Sequence, residues 1–242
     1  MTAAVRHHAQ ELVEQGYTLI DGIRTDEEAA EALGRFGPVM PQYDGRLRYQ
    51  VKAVPGYENR RYSKSTNTIL VHTEAPGWDP PPRHLALHCR VQATCGSGHT
   101  GLADGRAFLA TLDDETRRVL YERQVDWLGH NISGVGTAGL RRPSVERTAD
   151  GREVIRFSYN LFTAGDYDPP LDAAPDPESL PLGRLGLELA ERAMEFFRDH
   201  RVSVLIPEDA VLIWDNQRMM HARSEYRDTR RHLTRYWLGE HG

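Results

Sequence analysis

The chain has 242 residues, 39% of them hydrophobic and 27% charged, with a formal net charge of −5. This is the make-up of an ordinary globular protein, long enough for one sizeable domain, and its acidic balance gives no general basis for gripping a phosphate backbone. No apolar run is long enough to span a bilayer, and the stretch from Met1 to His8 lacks the apolar centre of a signal peptide.

Taken in chain order, residues 3–15 read as a helix stopped by Gly16, and Tyr17 to Asp21 as a short strand. Thr25 followed by Glu28 is a capping box that starts a second helix, which ends before Gly37-Pro38. Strands are expected over 47–54 and 68–72. Pro80-Pro81-Pro82 forces a loop. Arg83 to Val91 alternates as a strand, with His84, Ala86 and His88 on one face and Leu85, Leu87 and Cys89 on the other. Helices are expected around 104–111 and 113–121, and a strand from Arg152 to Tyr159. Residues 163–183, rich in Pro, Asp and Gly, read as a long lid-like loop. Leu185, Leu189, Ala193 and Phe196-Phe197 mark an amphipathic helix, followed by strands at Val202–Ile206, Ala210–Trp214 and Leu233–Leu238. Many short strands with flanking helices predict an α+β, mainly β fold with a jelly-roll core. One domain is expected over 1–242, because the candidate site joins both halves.

His72 and Glu74 are one residue apart at the end of a predicted strand, so both side chains reach the same face. His221, after the run ending in Trp214-Asp215-Asn216, supplies a third donor from another strand. Two imidazoles and one carboxylate suit iron(II) and leave coordination positions open; zinc accepts the same donors. His84 and His88 are a rival pair, better read as surface or supporting residues. Thr100 follows a glycine turn and can donate to a carboxylate. Arg231, Leu233 and Arg235 share a strand face, which places two guanidiniums on one pocket, and guanidinium clamps a carboxylate with two parallel bonds. Cys89 and Cys95 are too few for a disulfide framework and are read as reduced thiols of a cytoplasmic protein.

Three blocks together resemble a known family: Val71-His72-Thr73-Glu74, Gly98 to Gly105, and Trp214-Asp215-Asn216 through His221-Ala222-Arg223 to Arg235. Their order and separation are those of the iron(II)/2-oxoglutarate-dependent oxygenases of the taurine dioxygenase and clavaminate synthase-like type, from about Leu33 to Leu238. The resemblance implies His72, Glu74 and His221 as iron ligands, and Thr100 and Arg231 as the hold on the distal carboxylate of 2-oxoglutarate. It gives Arg235 to the prime substrate, with the two arginine roles exchangeable. It further implies O2 as co-substrate, with succinate and CO2 as products of a hydroxylation; desaturation and cyclisation are departures from the same chemistry. Glu74 disfavours halogenation, since related halogenases lack the carboxylate. Glu at this position also leans toward a free amino acid or small zwitterion. Asn67 and Thr68, just before the metal pair, are candidate substrate contacts. Asp166, Tyr167 and Asp168, in the lid, are placed to meet a cationic side chain such as that of lysine or arginine.

Two readings from other classes compete: a redox-silent zinc hydrolase on the same ligands, which has no need of Thr100 or the two arginines, and a cupin-like binding protein, which forms no succinate. The expected partner is a small molecule, with neither nucleic acid nor membrane; self-association is left open.

Overall fold

The computed structural model describes residues 3–241 apart from 130, 133, 134 and 137. The strand His84–Val91 sets the layering. Its residues Leu85, Leu87 and Cys89 face inward with Leu212, Trp214, Leu233 and Trp237. Ala86 faces the other way with Val211, Ile213, Tyr236 and Leu238, under Leu12, Ala29 and Leu33 of the first two helices. The period of two predicted from the sequence therefore holds, and each face of this strand is buried against a different layer.

The larger sheet runs Tyr17–Asp21, Ala210–Asp215, His84–Val91, His232–Leu238, Val39–Met40, with Tyr49–Lys52 also pairing on His232–Leu238. The smaller sheet runs Val202–Val204, Thr100–Asp104, Met219–Arg223, Ile69–His72. Pairing is antiparallel in both. Leu102 and Met219 of the smaller sheet pack inward on the larger one. Val71, Ala103 and Met220 face outward, against Leu189, Ala193 and Phe197 of the helix Arg184–His200. This is the expected α+β, mainly β jelly roll, and residues from both halves of the chain contribute to each sheet. The parity matters for function: with Val71 and Met220 turned out, the adjacent His72 and His221 turn in.

Local signals act as expected at most boundaries. Thr25 and Glu28 form the capping box of the helix Asp26–Leu33. Asp104 and Asp113 cap the helices Gly105–Ala110 and Asp114–Glu122. Other expectations need correction. The predicted strand from Arg152 to Tyr159 is a strand only over Glu153–Ile155. Ser158 then caps a helix at Tyr159–Ala164, because its hydroxyl accepts the Leu161 N–H and competes with continued extension. The strand expected at Val202–Ile206 ends at Val204. The segment 163–183 opens inside that short helix and contains a 3-10 turn at Pro177–Ser179.

Candidate active site

His72 and His221 lie directly opposite each other on adjacent strands, their ring centroids 4.0 Å apart. The Nδ1 of His72 lies 2.8 Å from the Leu70 carbonyl and donates to it, which leaves Nε2 with its lone pair. The Nε2 atoms of His72 and His221 are each 3.8 Å from Glu74 Oε2. All three donor atoms lie within 4.8 Å of one another. Burial holds the pKa of both imidazoles below the usual range, and the neighbouring His72 and Arg235 push His221 further down. Neutral rings present lone pairs, so two imidazoles and a carboxylate fit a divalent metal of the iron or zinc kind.

Glu74 is fixed at both ends. The side chain of Asn216 accepts the Glu74 N–H at 2.7 Å and donates to the Glu74 carbonyl at 3.0 Å and to that of Pro82 at 3.1 Å. At the carboxylate, Oε1 lies 2.6 Å from Arg235 Nη1 in an ion pair and accepts from the Tyr43 hydroxyl at 3.4 Å. With Oε1 occupied, Oε2 is the oxygen left for the two histidines. Arg235 is itself held by Gln42, whose Oε1 accepts from its Nε at 2.8 Å. The rings of Tyr43, Tyr49 and Trp237 surround it at 5.7, 4.7 and 5.4 Å.

A second guanidinium, that of Arg231, lies in the turn just before the strand His232–Leu238. Arg231 is 3% exposed, donates from Nη2 to the Gly98 carbonyl at 3.1 Å, and leaves Nη1 buried without a partner among the described residues. Thr100 is buried and lines the same cavity. Gly98 has φ +87, and a Cβ there would meet Arg231 Nε at 3.0 Å, so glycine suits both the turn and the approach. A buried guanidinium with one nitrogen left unpartnered, in a cavity that also holds a hydroxyl, is a receptor for a carboxylate.

The cavity encloses about 1060 Å³, counting the part open to solvent. His72, Glu74, His221, Thr100, Arg231 and Arg235 all line it, as the sequence predicts. Asp168 lines it too, and its carboxyl is pushed up to about 7 by burial and by the charges of Asp166 and Glu74, against the pull of Arg235 and Arg60. Three other predicted contacts lie elsewhere. The Asn67 side chain donates to the Glu58 and Arg60 carbonyls at 2.6 and 2.9 Å, so it is spent on its own loop. Thr68 is exposed and lines a separate groove beneath the helix Arg184–His200. Asp166 is exposed and accepts the Asp168 N–H at 3.1 Å. The rival pair is also resolved: His88 Nδ1 meets Asp26 Oδ1 at 3.2 Å and Nε2 meets the Ile23 carbonyl at 2.9 Å, on the far side of the larger sheet. Trp78 packs on Trp237 at 5.2 Å as part of the core.

Sequence reasoning missed Tyr43, Arg61 and Asn160 in the cavity wall. Each comes from a segment whose local pattern carries no chemical signature. It also missed the work of Arg223, which donates to the Ser63, Ser65 and Asn67 carbonyls at 3.3, 2.7 and 2.5 Å and ties down the loop entering the metal strand.

A family model described as "Taurine catabolism dioxygenase TauD, TfdA family" matches residues 2–237. Among solved structures, asparagine oxygenase in complex with Fe(II), 2S,3S-3-hydroxyasparagine and succinate aligns with a TM-score of 0.74 at 17% identity, over 97% of this chain and 78% of that one. Non-heme iron oxygenase OrfP in complex with Fe and alpha-ketoglutaric acid gives a TM-score of 0.68 at 16% identity, over 100% and 81%. The same oxygenase with Fe, succinate and (3R,4R)-dihydroxy-L-Arg gives 0.69 at 16% identity, over 99% and 82%. At such identities the likeness is one of fold. No curated protein matches the chain in sequence. Among the described residues, no helix is long and apolar enough to cross a membrane.

Proposed function

Since the chain belongs to the taurine catabolism dioxygenase TauD, TfdA family, we propose that it is an iron(II)- and 2-oxoglutarate-dependent dioxygenase that hydroxylates a free amino acid or a related small zwitterion. The observation that carries this reading is the convergence of His72 Nε2, His221 Nε2 and Glu74 Oε2 in a cavity that also holds Arg231 with its Nη1 unpartnered among the described residues. Iron, when bound, supplies the activation of O2, with 2-oxoglutarate converted to succinate and CO2 as a substrate C–H becomes C–OH.

The residues divide that work. His72, Glu74 and His221 hold the metal. Arg231, with Thr100, binds the distal carboxylate of the keto acid. Arg235 keeps Oε1 of Glu74 occupied, and the rest of its guanidinium is offered to the carboxylate of the substrate. Asp168, which interacts with both Arg235 and Glu74, takes the ammonium beside it. The substrate class is supported by the relatives of like fold, whose bound products are hydroxylated asparagine and arginine. A zinc hydrolase on the same three ligands would give Arg231 and Thr100 no work. The two free cysteines suit action in the cytoplasm.

The test is to add iron(II), ascorbate and 2-oxoglutarate to the purified protein and screen amino acids for succinate. His72→Ala is expected to abolish turnover, and unchanged turnover would reject the ligand assignment. Without oxygen, iron and keto acid together should give the weak violet charge-transfer band of a chelate; its absence would reject the oxygenase reading.

A further inference from the structure

Four guanidiniums line the cavity, and three of them are committed. Arg223 is spent on backbone carbonyls, Arg231 faces the keto-acid position, and Arg235 is paired with Glu74 and Gln42. The fourth, Arg61, is half-buried and has no hydrogen-bond or ionic partner among the described residues. A guanidinium on a cavity wall with no counter-charge beside it is open to an anionic group of a ligand, which it can grip with paired hydrogen bonds.

The backbone around Arg61 is fixed on both sides. The carbonyl before it, Arg60 O, accepts from Asn67 at 2.9 Å, and the carbonyl of Ser63 accepts from Arg223 at 3.3 Å. Arg60 bridges to Pro170 in the lid segment, and its Nη1 donates to the Asp168 carbonyl at 3.0 Å. Arg61 is therefore carried on a stapled loop, and its place at the cavity wall is built in advance of any ligand.

The charge balance points the same way. Among the described residues, the lining carboxylates are Glu74 and Asp168, against four guanidiniums. A divalent metal and a doubly charged keto acid cancel each other. A zwitterionic head on Arg235 and Asp168 adds no net charge, so the loaded cavity stays positive and favours a substrate with one more negative group.

Resting on the amino-acid oxygenase reading, we propose that Arg61 is the docking point for an anionic side chain, and that the prime substrate is an acidic amino acid of the aspartate or glutamate class. Arg61 fixes the far end of the substrate while Arg235 and Asp168 fix the head, and the C–H bonds between the two ends are those presented to the metal.

The experiment compares acidic, amide, basic and apolar amino acids with the iron- and keto-acid-loaded protein. Succinate formation is measured in air, and direct calorimetric binding is measured under nitrogen. An acidic amino acid is expected to have the highest kcat/KM. Arg61→Ala should weaken its binding about 10- to 100-fold, seen mainly in KM, with the violet band intact. Arg61→Glu should turn the preference toward basic amino acids. Best turnover of a basic or amide amino acid by the wild type, or an acidic substrate indifferent to Arg61→Ala, overturns the proposal while the oxygenase reading stands. A violet band with no amino acid bound or oxidised overturns it together with the substrate class; loss of the band itself removes the oxygenase reading beneath both.

Discussion

Arg235 Nη1 lies 2.6 Å from Glu74 Oε1, so one of the arginines of the site is in contact with the proposed metal carboxylate. Both side chains are buried, and a buried pair broken from one side leaves an uncompensated charge. Arg235→Met is therefore expected to destabilise the metal-free protein by about 3 kcal/mol. It should also weaken metal binding about 10- to 100-fold, because Glu74 loses the contact that turns Oε2 toward the histidines. Arg235→Lys should rescue little, since an ammonium cannot bond to Gln42 and Glu74 in the same plane. Thermal melts and manganese titration followed by electron paramagnetic resonance check both points; wild-type metal affinity in Arg235→Met would count against the orienting role.

Asn216 acts on the other end of the same ligand. Its amide meets the N–H and the carbonyl of Glu74 as a neighbouring peptide unit would. Asn216→Ala strands both groups in the interior, an expected loss of about 1–3 kcal/mol, together with a fall in metal affinity. Asn216→Asp keeps the acceptor and loses the donor, so it should lie between alanine and the wild type in metal affinity. Equal metal affinity across the three proteins would show Asn216 to be a packing residue only.

Gly98 couples a turn to the keto-acid site. Gly98→Ala puts a methyl group at φ +87 and 3.0 Å from Arg231 Nε. The guanidinium must shift, and the KM for 2-oxoglutarate should rise about tenfold while kcat at saturation changes less. Thr100→Val should move the same constant in the same direction. A change confined to kcat would place neither residue at the keto acid.

Asp168 makes stability depend on pH with a definite sign. Its carboxyl is raised from 3.8 to about 7 in the folded protein. Between those values the unfolded chain has lost the proton and the folded protein still binds it, so stability falls as pH rises through this window and is flat above it. Asp168→Asn removes the titration. It should be more stable than the wild type above about pH 7, by about 1–2 kcal/mol after discounting for partial exposure, and lose that advantage near about pH 4. Melting curves of both proteins across this range, without metal, decide it; an advantage independent of pH would assign the effect to packing.

The convergence of His72, Glu74 and His221 was legible because much of it is local and periodic. His72 ends the strand Ile69–His72 with Glu74 two residues on, and Leu233 and Arg235 share a face of His232–Leu238, so much of the side-chain direction could be read from spacing; Arg231 lies in the turn just before that strand. The larger sheet was legible for the same reason, through Leu85, Leu87 and Cys89. What stayed hidden was set by tertiary contact. Asn67 has the polarity of a substrate contact, but its amide found two carbonyls of its own loop. Arg61 and Tyr43 sit in irregular segments with no period to give their direction. Phe157 looked like the continuation of a strand; it is instead tied to Thr73, each backbone N–H bonding across, before Ser158 starts a helix.

The two cysteines, grouped together by the sequence as reduced thiols, differ sharply in the fold. Cys95 is exposed, and its thiol is pulled down to about 6 by the Ser97 hydroxyl and by the backbone N–H groups of Arg227 and Asp228. Cys89 is buried in the core, and burial pushes it up to about 12 even with Arg231 nearby. The thiolate is the nucleophile, so the two should separate in reactivity. At neutral pH, iodoacetamide is expected to alkylate Cys95 alone in the native protein, with a rate that reaches half its maximum near about pH 6. Cys89 should react only after unfolding. Intact mass followed by peptide mapping reads this directly, and a second label on the native protein, or a rate midpoint near that of an ordinary thiol, would contradict the environments assigned to the two side chains.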